Sequence, residues 1–222
     1  RIYIMKNETY NRILSSIIVI PITFFFIIKG SILFIFFLTI FFIATSYEWK
    51  RMTKKKPYFI PGIIFLFLSS YSAYLMRGNS IDNLFLFLLI ILICIATDIG
   101  GYTFGKIFKG PKLIRISPNK TYSGVLGSFI FSVIFVNIFL FYWNKNFYLV
   151  ELINLENTLH LGLILSVSFV SQIGDLVISY FKRLSKVKNT GKLIPGHGGL
   201  LDRVDGMIFA IPFAYLIFRI LL

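Results

Sequence analysis

Seven long apolar runs divide the chain and leave little room for any architecture except a membrane-embedded helical one. They cover Ile13–Ile28, Ser31–Ser46, Pro57–Met76, Asp82–Gly105, Gly124–Trp143, Thr158–Phe181 and Gly206–Leu222. A helix needs about 20 mostly apolar residues to cross a bilayer, with about 17–25 tolerated. Inside a bilayer every backbone polar group must be bonded within the protein, so continuous apolar runs fold there as helices. The expected fold is therefore all-α, a polytopic integral membrane protein with about seven transmembrane helices. No polar segment between the runs reaches the roughly 50 residues of a separate soluble domain. The first two runs are short and separated only by Lys29 and Gly30, so a re-entrant pair is an alternative for them. Pro21 kinks the first run without forbidding a span. No small-residue cleavage site follows that run, which is read as a retained anchor rather than a signal peptide.

Composition removes the other classes. Hydrophobic residues make up 57% and charged residues 14%, against roughly 45–50% and about 25% in soluble domains. That much apolar surface excludes disorder. Cys94 is the one cysteine, so no disulfide forms within the chain. A net charge of +14 in a soluble protein would point to nucleic acid. Here the basic residues lie in short loops between apolar runs, so no nucleic-acid partner is expected and the charge reads as topology. With the N-terminus inside, 19 of the 23 Lys and Arg are cytoplasmic, leaving only Lys29, Arg77, Lys145 and Arg219 outside. The expected orientation is N-in, C-out. Lys54, Lys55 and Lys56 serve orientation and attraction to anionic membrane lipids. Trp49 and Trp143, at span ends, read as an interfacial belt.

Four of the nine acids fall in one kind of place. Asp98 lies near the end of the fourth run, Asp175 in the cytoplasmic third of the sixth, and Asp202 and Asp205 lead into the seventh. The charge-derived topology puts all four at the cytoplasmic membrane boundary. Carboxylates there are costly and mark a functional site by default. On the sixth helix Ser171, Asp175, Ser179 and Lys182 fall within about 80° of arc at 100° per residue. A polar stripe of that kind faces protein or a water-filled cavity. Ser171 and Ser179 are also suited to plain helix–helix contact. Asp202 and Asp205, spaced i, i+3, share a face if the seventh helix has begun by then. Two carboxylates so close suit Mg²⁺, which is usually held by one or two carboxylates together with substrate phosphates. Arg203, between them, points elsewhere, toward a phosphate or a neighbouring acid.

Two loops on the same side suit phosphate. Pro195, Gly196, His197, Gly198 and Gly199 precede the Asp202/Asp205 pair, and glycines let backbone approach a phosphate closely. His197 stands inside that loop and is a candidate site residue. Ser117, Asn119, Lys120 and Thr121 place a cation and hydroxyls just before the fifth run, where helix N–H groups favour anions. No P-loop, zinc cluster or G-x-S-x-G elbow is present.

These residues together resemble a known family. Ser179, Lys182, Arg183, Lys188, Asn189, Gly191, Ile194, Pro195, His197–Leu200 and Asp202–Asp205 resemble the signature of the phosphatidate cytidylyltransferases, or CDP-diacylglycerol synthases. The segments from Asp98 to Tyr102 and from Ser117 to Thr121 are similar to that family's upstream conserved segments. Asn189 and Ser123 stand where the family normally has Asp and Glu. The resemblance implies transfer of a cytidylyl group from CTP to phosphatidate in the bilayer, giving CDP-diacylglycerol and pyrophosphate. It implies Asp175, Lys182, Arg183, His197 and Arg203 as catalytic residues. Ser117, Lys120, Thr121, Ser179, Lys188, Gly198 and Gly199 would bind substrate. Asp175, Asp202 and Asp205 would hold Mg²⁺, with Asp98 as an additional ligand and a second cation left open, as is a homodimer. Residues 1–81 are then anchoring spans and 82–222 a catalytic region, in a bacterial-type inner membrane with the site on the cytoplasmic side. A CTP-dependent lipid kinase is the nearest competing activity. A secondary transporter coupled through Asp175 and Lys182 is the competitor from another class, although the midplane site and repeat symmetry common in transporters are not evident.

Overall fold

The computed structural model describes residues 2–114, 117–146, 157–194, 196 and 198–221. The described chain is a helical bundle. Its elements are α1 (Ile2–Lys29), α2 (Ser31–Thr53), α3 (Phe59–Arg77), α4 (Ile81–Phe108), β1 (Lys112–Ile114), β2 (Ser117–Thr121), α5 (Tyr122–Asn146), α6 (Asn157–Leu184), α7 (Leu201–Val204) and α8 (Met207–Leu221). Among the described residues, five helices have span-length apolar stretches: Ser31–Thr53, Phe59–Arg77, Ile81–Phe108, Tyr122–Trp143 and His160–Leu184. Leu14–Lys29 and Met207–Ile220 are shorter apolar helices. Large apolar side chains such as Ile32, Phe36, Ile60, Phe67, Phe141 and Leu216 are exposed on the outside. So many on a water-facing surface would aggregate, whereas on a lipid-facing one they are solvated. The chain is an all-α polytopic integral membrane protein.

Helix α4 supplies much of the centre, with Ile90 and Ile93 fully buried among Val136 of α5, Ile164 and Val167 of α6, and Ala210 and Ala214 of α8. Its tightest neighbour is α5, and glycine is the reason. A Cβ on Gly100 would stand 2.4 Å from the carbonyl oxygen of Gly127, and one on Gly127 would stand 2.3 Å from Phe104 Cβ. Backbone approach through small residues is how membrane helices gain packing contact where no hydrophobic drive exists between them.

Three findings differ from the sequence reading. Helix α2 continues past Ser46 to Thr53, because Thr45, Glu48, Trp49, Met52 and Thr53 form a buried face at helical spacing. Trp49 is therefore no interfacial belt residue. It is 3% exposed, donates to Phe59 O at 3.1 Å and packs edge-on against Phe181 of α6. Lastly, the segment before α5 is not a plain loop. β1 and β2 pair antiparallel, Lys112 opposite Thr121 and Ile114 opposite Ser117, which bonds the backbone groups of a short connection between two close-packed helices.

The ends of the helices sort onto two faces. Arg77, buried at the end of α3, donates to Ile27 O at 2.7 Å and Ile28 O at 2.9 Å, so α1 and α3 finish on the same face. The Trp49–Phe59 bond joins the end of α2 to the start of α3 on the opposite face. That second face also carries the β-hairpin, the end of α6 and the approach to α8.

Candidate active site

The second face is cut by a cavity of about 450 Å³. Four elements bring its charged groups. α4 supplies Asp98, β2 supplies Ser117, Lys120 and Thr121, α6 supplies Asp175 and Lys182, and the α7 segment supplies Asp202, Arg203 and Asp205. Four carboxylates separated by up to 107 positions in sequence thus line one space.

Helix α6 places its groups by periodicity. Asp175, Ser179 and Lys182 follow at i, i+4 and i+7, one face of the helix. Lys120 Nζ lies 2.6 Å from Asp175 Oδ2, and Ser179 Oγ donates to Asp175 Oδ1 at 3.2 Å. Lys182 Nζ donates to Asp202 Oδ1 at 2.9 Å and stands 3.9 Å from Asp205 Oδ2. The carboxyls of Asp175 and Asp205 line the same wall of the cavity. Burial, reinforced by the charge of Asp175, pushes the Asp205 carboxyl well above the ordinary carboxylate range. Ser171, by contrast, is buried where α6 meets Gly206 at the start of α8, as a helix-contact residue.

Asp202 and Asp205 differ in their surroundings. Asp202 Oδ2 accepts from Thr190 N at 2.8 Å and Gly199 N at 3.1 Å. With Lys182 on the other oxygen, its carboxylate is occupied by protein donors. Asp205 lies past the end of α7, and Gly206 N donates to its Oδ1 at 3.0 Å. The condition for one helix through both is not met, since α7 stops at Val204 and α8 begins at Met207.

Sequence reasoning missed Glu48 of α2. It is 1% exposed, yet accepts from Thr190 Oγ1, Leu200 N and Leu201 N, each at 2.9 Å. A Cβ on Gly199 would stand 2.0 Å from Thr190 Oγ1 and 2.6 Å from Glu48 Oε2, so only glycine permits this clasp. Glu48 and Asp202 thereby hold the same loop at the same two points, Thr190 and the stretch from Gly199 to Leu201. The available signal was modest: Glu48 is the one acid between Glu8 and Asp82, set beside a run of lysines. Glu48→Gln replaces one acceptor oxygen by a donor facing N–H and O–H groups. We expect it to cost about 1–3 kcal/mol of stability, read by thermal unfolding in detergent. An unchanged unfolding midpoint would show that the clasp contributes nothing.

Other candidates lie elsewhere. Arg183 and Lys188 are exposed and do not line the cavity. Gly198 exchanges backbone bonds with Ile194, at 3.0 and 3.2 Å, and Gly199 N is held by Asp202. Their backbones shape the loop rather than face the cavity. His197 lies outside the described residues.

Among the described residues, no three His, Cys, Asp or Glu groups converge to hold a metal unaided. Two carboxylates completed by substrate phosphates is nevertheless the usual manner of binding Mg²⁺. The neighbouring carboxyls of Asp175 and Asp205 fit it, because two carboxylates brought close need a proton or a cation between them. The cavity also sets four carboxylates against Lys120, Lys182 and Arg203, so it carries no excess positive charge of its own to receive a triphosphate.

Comparison with known proteins now adds to this geometry. The model of the cytidylyltransferase family matches residues 63–221, which span α3 to α8 and every cavity residue named above. The chain is 33% identical over 220 residues to a phosphatidate cytidylyltransferase of Rickettsia bellii (strain RML369-C), covering 96% of this chain and 91% of that protein. It is 38% identical over 167 residues to one from Haemophilus influenzae (strain ATCC 51907 / DSM 11121 / KW20 / Rd), covering 73% of this chain and 54% of that protein. A Staphylococcus aureus (strain COL) phosphatidate cytidylyltransferase is 41% identical over 124 residues, 54% of this chain and 44% of its own length. A membrane-embedded cavity of paired acids and cations, lying wholly within the matched span, accords with that match, and the chain belongs to the cytidylyltransferase family.

Proposed function

We propose that this protein is a phosphatidate cytidylyltransferase of phospholipid biosynthesis, converting CTP and phosphatidate to CDP-diacylglycerol and pyrophosphate. The observation that carries the reading is the cavity: Asp98, Asp175, Asp202 and Asp205 face Lys120, Lys182 and Arg203 within a lipid-solvated bundle. The charge asymmetry of the loops supports a cytoplasmic location for this face, in an inner membrane. CTP then arrives from the cytosol and phosphatidate from the bilayer.

The chemistry asks little of a general base. A phosphate oxygen of phosphatidate is already anionic and attacks the α-phosphorus of CTP. The bond from that phosphorus to the bridging oxygen breaks, and pyrophosphate leaves with the electron pair. Catalysis of this kind rests on positioning and charge neutralisation. Lys120 sits on β2, two residues before α5 begins, where the helix dipole also favours a phosphate, and its ion pair with Asp175 keeps the ammonium in place between turnovers. Lys182 is held by Asp202 and neighbours Asp205, so its charge is fixed beside the reacting phosphates. Arg203 lines the same wall and suits the departing pyrophosphate. Mg²⁺ held by Asp175 and Asp205, with Asp98 nearby and Asp202 fixing the loop, would supply the positive charge that the cavity lacks for a triphosphate.

Pyrophosphate release by the purified protein tests this reading. We expect release only when CTP, phosphatidate and Mg²⁺ are all present, and none when diacylglycerol replaces phosphatidate. Release with diacylglycerol would contradict it, because that lipid lacks the nucleophilic phosphate.

A further inference from the structure

The deep end of the cavity carries a side chain that this chemistry does not use. Gln172 stands three residues before Asp175 on α6, one face of the helix and about 4.5 Å further into the bundle. Both line the cavity. The Gln172 Nε2 group is shielded from solvent and, among the described residues, has no hydrogen-bond partner. Its polar neighbours at this depth are already engaged: Thr97 Oγ1 donates to Ser168 Oγ and Ser128 Oγ donates to Thr97 O, both at 2.8 Å. A buried N–H without an acceptor is costly. In a substrate cavity, that cost is removed when the ligand brings the acceptor.

The position of Gln172 says which acceptor. Lys120, whose Nζ also reaches Gln172 O at 3.4 Å, and Lys182 hold the phosphates of both substrates at the level of Asp175. The nucleotide approaches from the loop-covered side. One turn deeper, the next part of the lipid substrate after its phosphate is the glycerol unit with its ester-linked chains. Ester carbonyl oxygens are the acceptors found there. We infer that Gln172 Nε2 donates a hydrogen bond to an ester carbonyl oxygen of the diacylglycerol moiety, which makes Gln172 a specificity-determining residue for acyl-ester lipid. The inference rests on the phosphatidate reading above.

The test compares dioleoyl phosphatidate with its dialkyl ether counterpart, which has CH₂ in place of each ester carbonyl, at saturating CTP. The wild-type protein is expected to favour the ester by about five- to tenfold in kcat/KM, the effect of one neutral hydrogen bond. Gln172→Leu should raise the KM for the ester lipid, leave the KM for CTP unchanged and bring the ester-to-ether ratio near one. If that variant fails to fold, Gln172→Glu, which exchanges the amide nitrogen for oxygen at constant shape, should show the same loss of preference. A wild-type protein indifferent to the ester, a variant that keeps the wild-type ratio, or a rise in the KM for CTP instead would each overturn the inference. Failure of the wild-type protein to form CDP-lipid from either substrate would overturn the phosphatidate reading itself, and is thereby distinguished from loss of ester preference alone.

Discussion

Asp175→Asn should reduce CDP-diacylglycerol formation to below about a hundredth of the wild-type rate, about 2.7 kcal/mol of barrier, in a protein that still folds. Asn preserves the size of the side chain and its bond from Ser179 Oγ. It removes the charge that holds Lys120 Nζ at 2.6 Å and one of the two neighbouring cavity carboxyls that fit Mg²⁺. Lys120 keeps only its 3.4 Å contact with Gln172 O and loses its fixed place beside the phosphates. The check is a rate measurement beside a thermal unfolding curve in the same detergent. A variant retaining more than about a tenth of wild-type activity, a loss of only about 1.4 kcal/mol, would make Asp175 a structural partner of Lys120.

The second large effect separates two residues that look equivalent in sequence. Asp205→Asn should raise the Mg²⁺ concentration for half-maximal activity by tenfold or more, on the order of the 10–100-fold losses that follow damage near a metal site, with little change in stability. Asp202→Asn should leave the Mg²⁺ half-saturation near the wild-type value while lowering the maximal rate and the unfolding midpoint. The reason lies in their partners. Asp202 accepts from Thr190 N, Gly199 N and Lys182 Nζ. An amide there turns an NH₂ toward either the lysine or the backbone N–H groups, at a cost of about 1–3 kcal/mol. Asp205 Oδ1 accepts from Gly206 N at 3.0 Å, and its Oδ2 stands 3.9 Å from Lys182 Nζ. Mg²⁺ titrations of both variants decide the matter, and equal shifts in the two would return them to a single shared ligand pair.

Much of this architecture was legible from the residues because bilayer physics is strict. Runs such as Asp82–Gly105 are continuous, and lipid leaves them no alternative to the helix. The convergence of Asp98, Asp175, Asp202 and Asp205 followed from topology, since loop charge alone assigned each to the same boundary. Three features were hidden, each for its own reason. Glu48 escaped because hydropathy ends the second run at Ser46, whereas the helix continues through the charged residues by burying one face against α3, α6 and the loop. Its partners lie 142 to 153 positions away, beyond any local pattern. The different partners of Asp202 and Asp205 escaped because spacing does not tell which backbone N–H groups a folded loop brings to one of them. The Ser117–Thr121 segment reads as a polar loop, and its pairing with Lys112–Ile114 arises only when α4 and α5 are drawn together by their glycines.

Following the phosphorus atoms tests the central claim most directly. Purified protein is incubated with phosphatidate, Mg²⁺ and CTP labelled at either the α- or the γ-phosphate, and the lipid and aqueous products are separated. Cytidylyl transfer predicts that the α-label enters the lipid as CDP-diacylglycerol and that the γ-label leaves entirely as pyrophosphate. Label from the γ-phosphate in the lipid, with CDP as the soluble product, would contradict the account and make the protein a CTP-dependent lipid kinase.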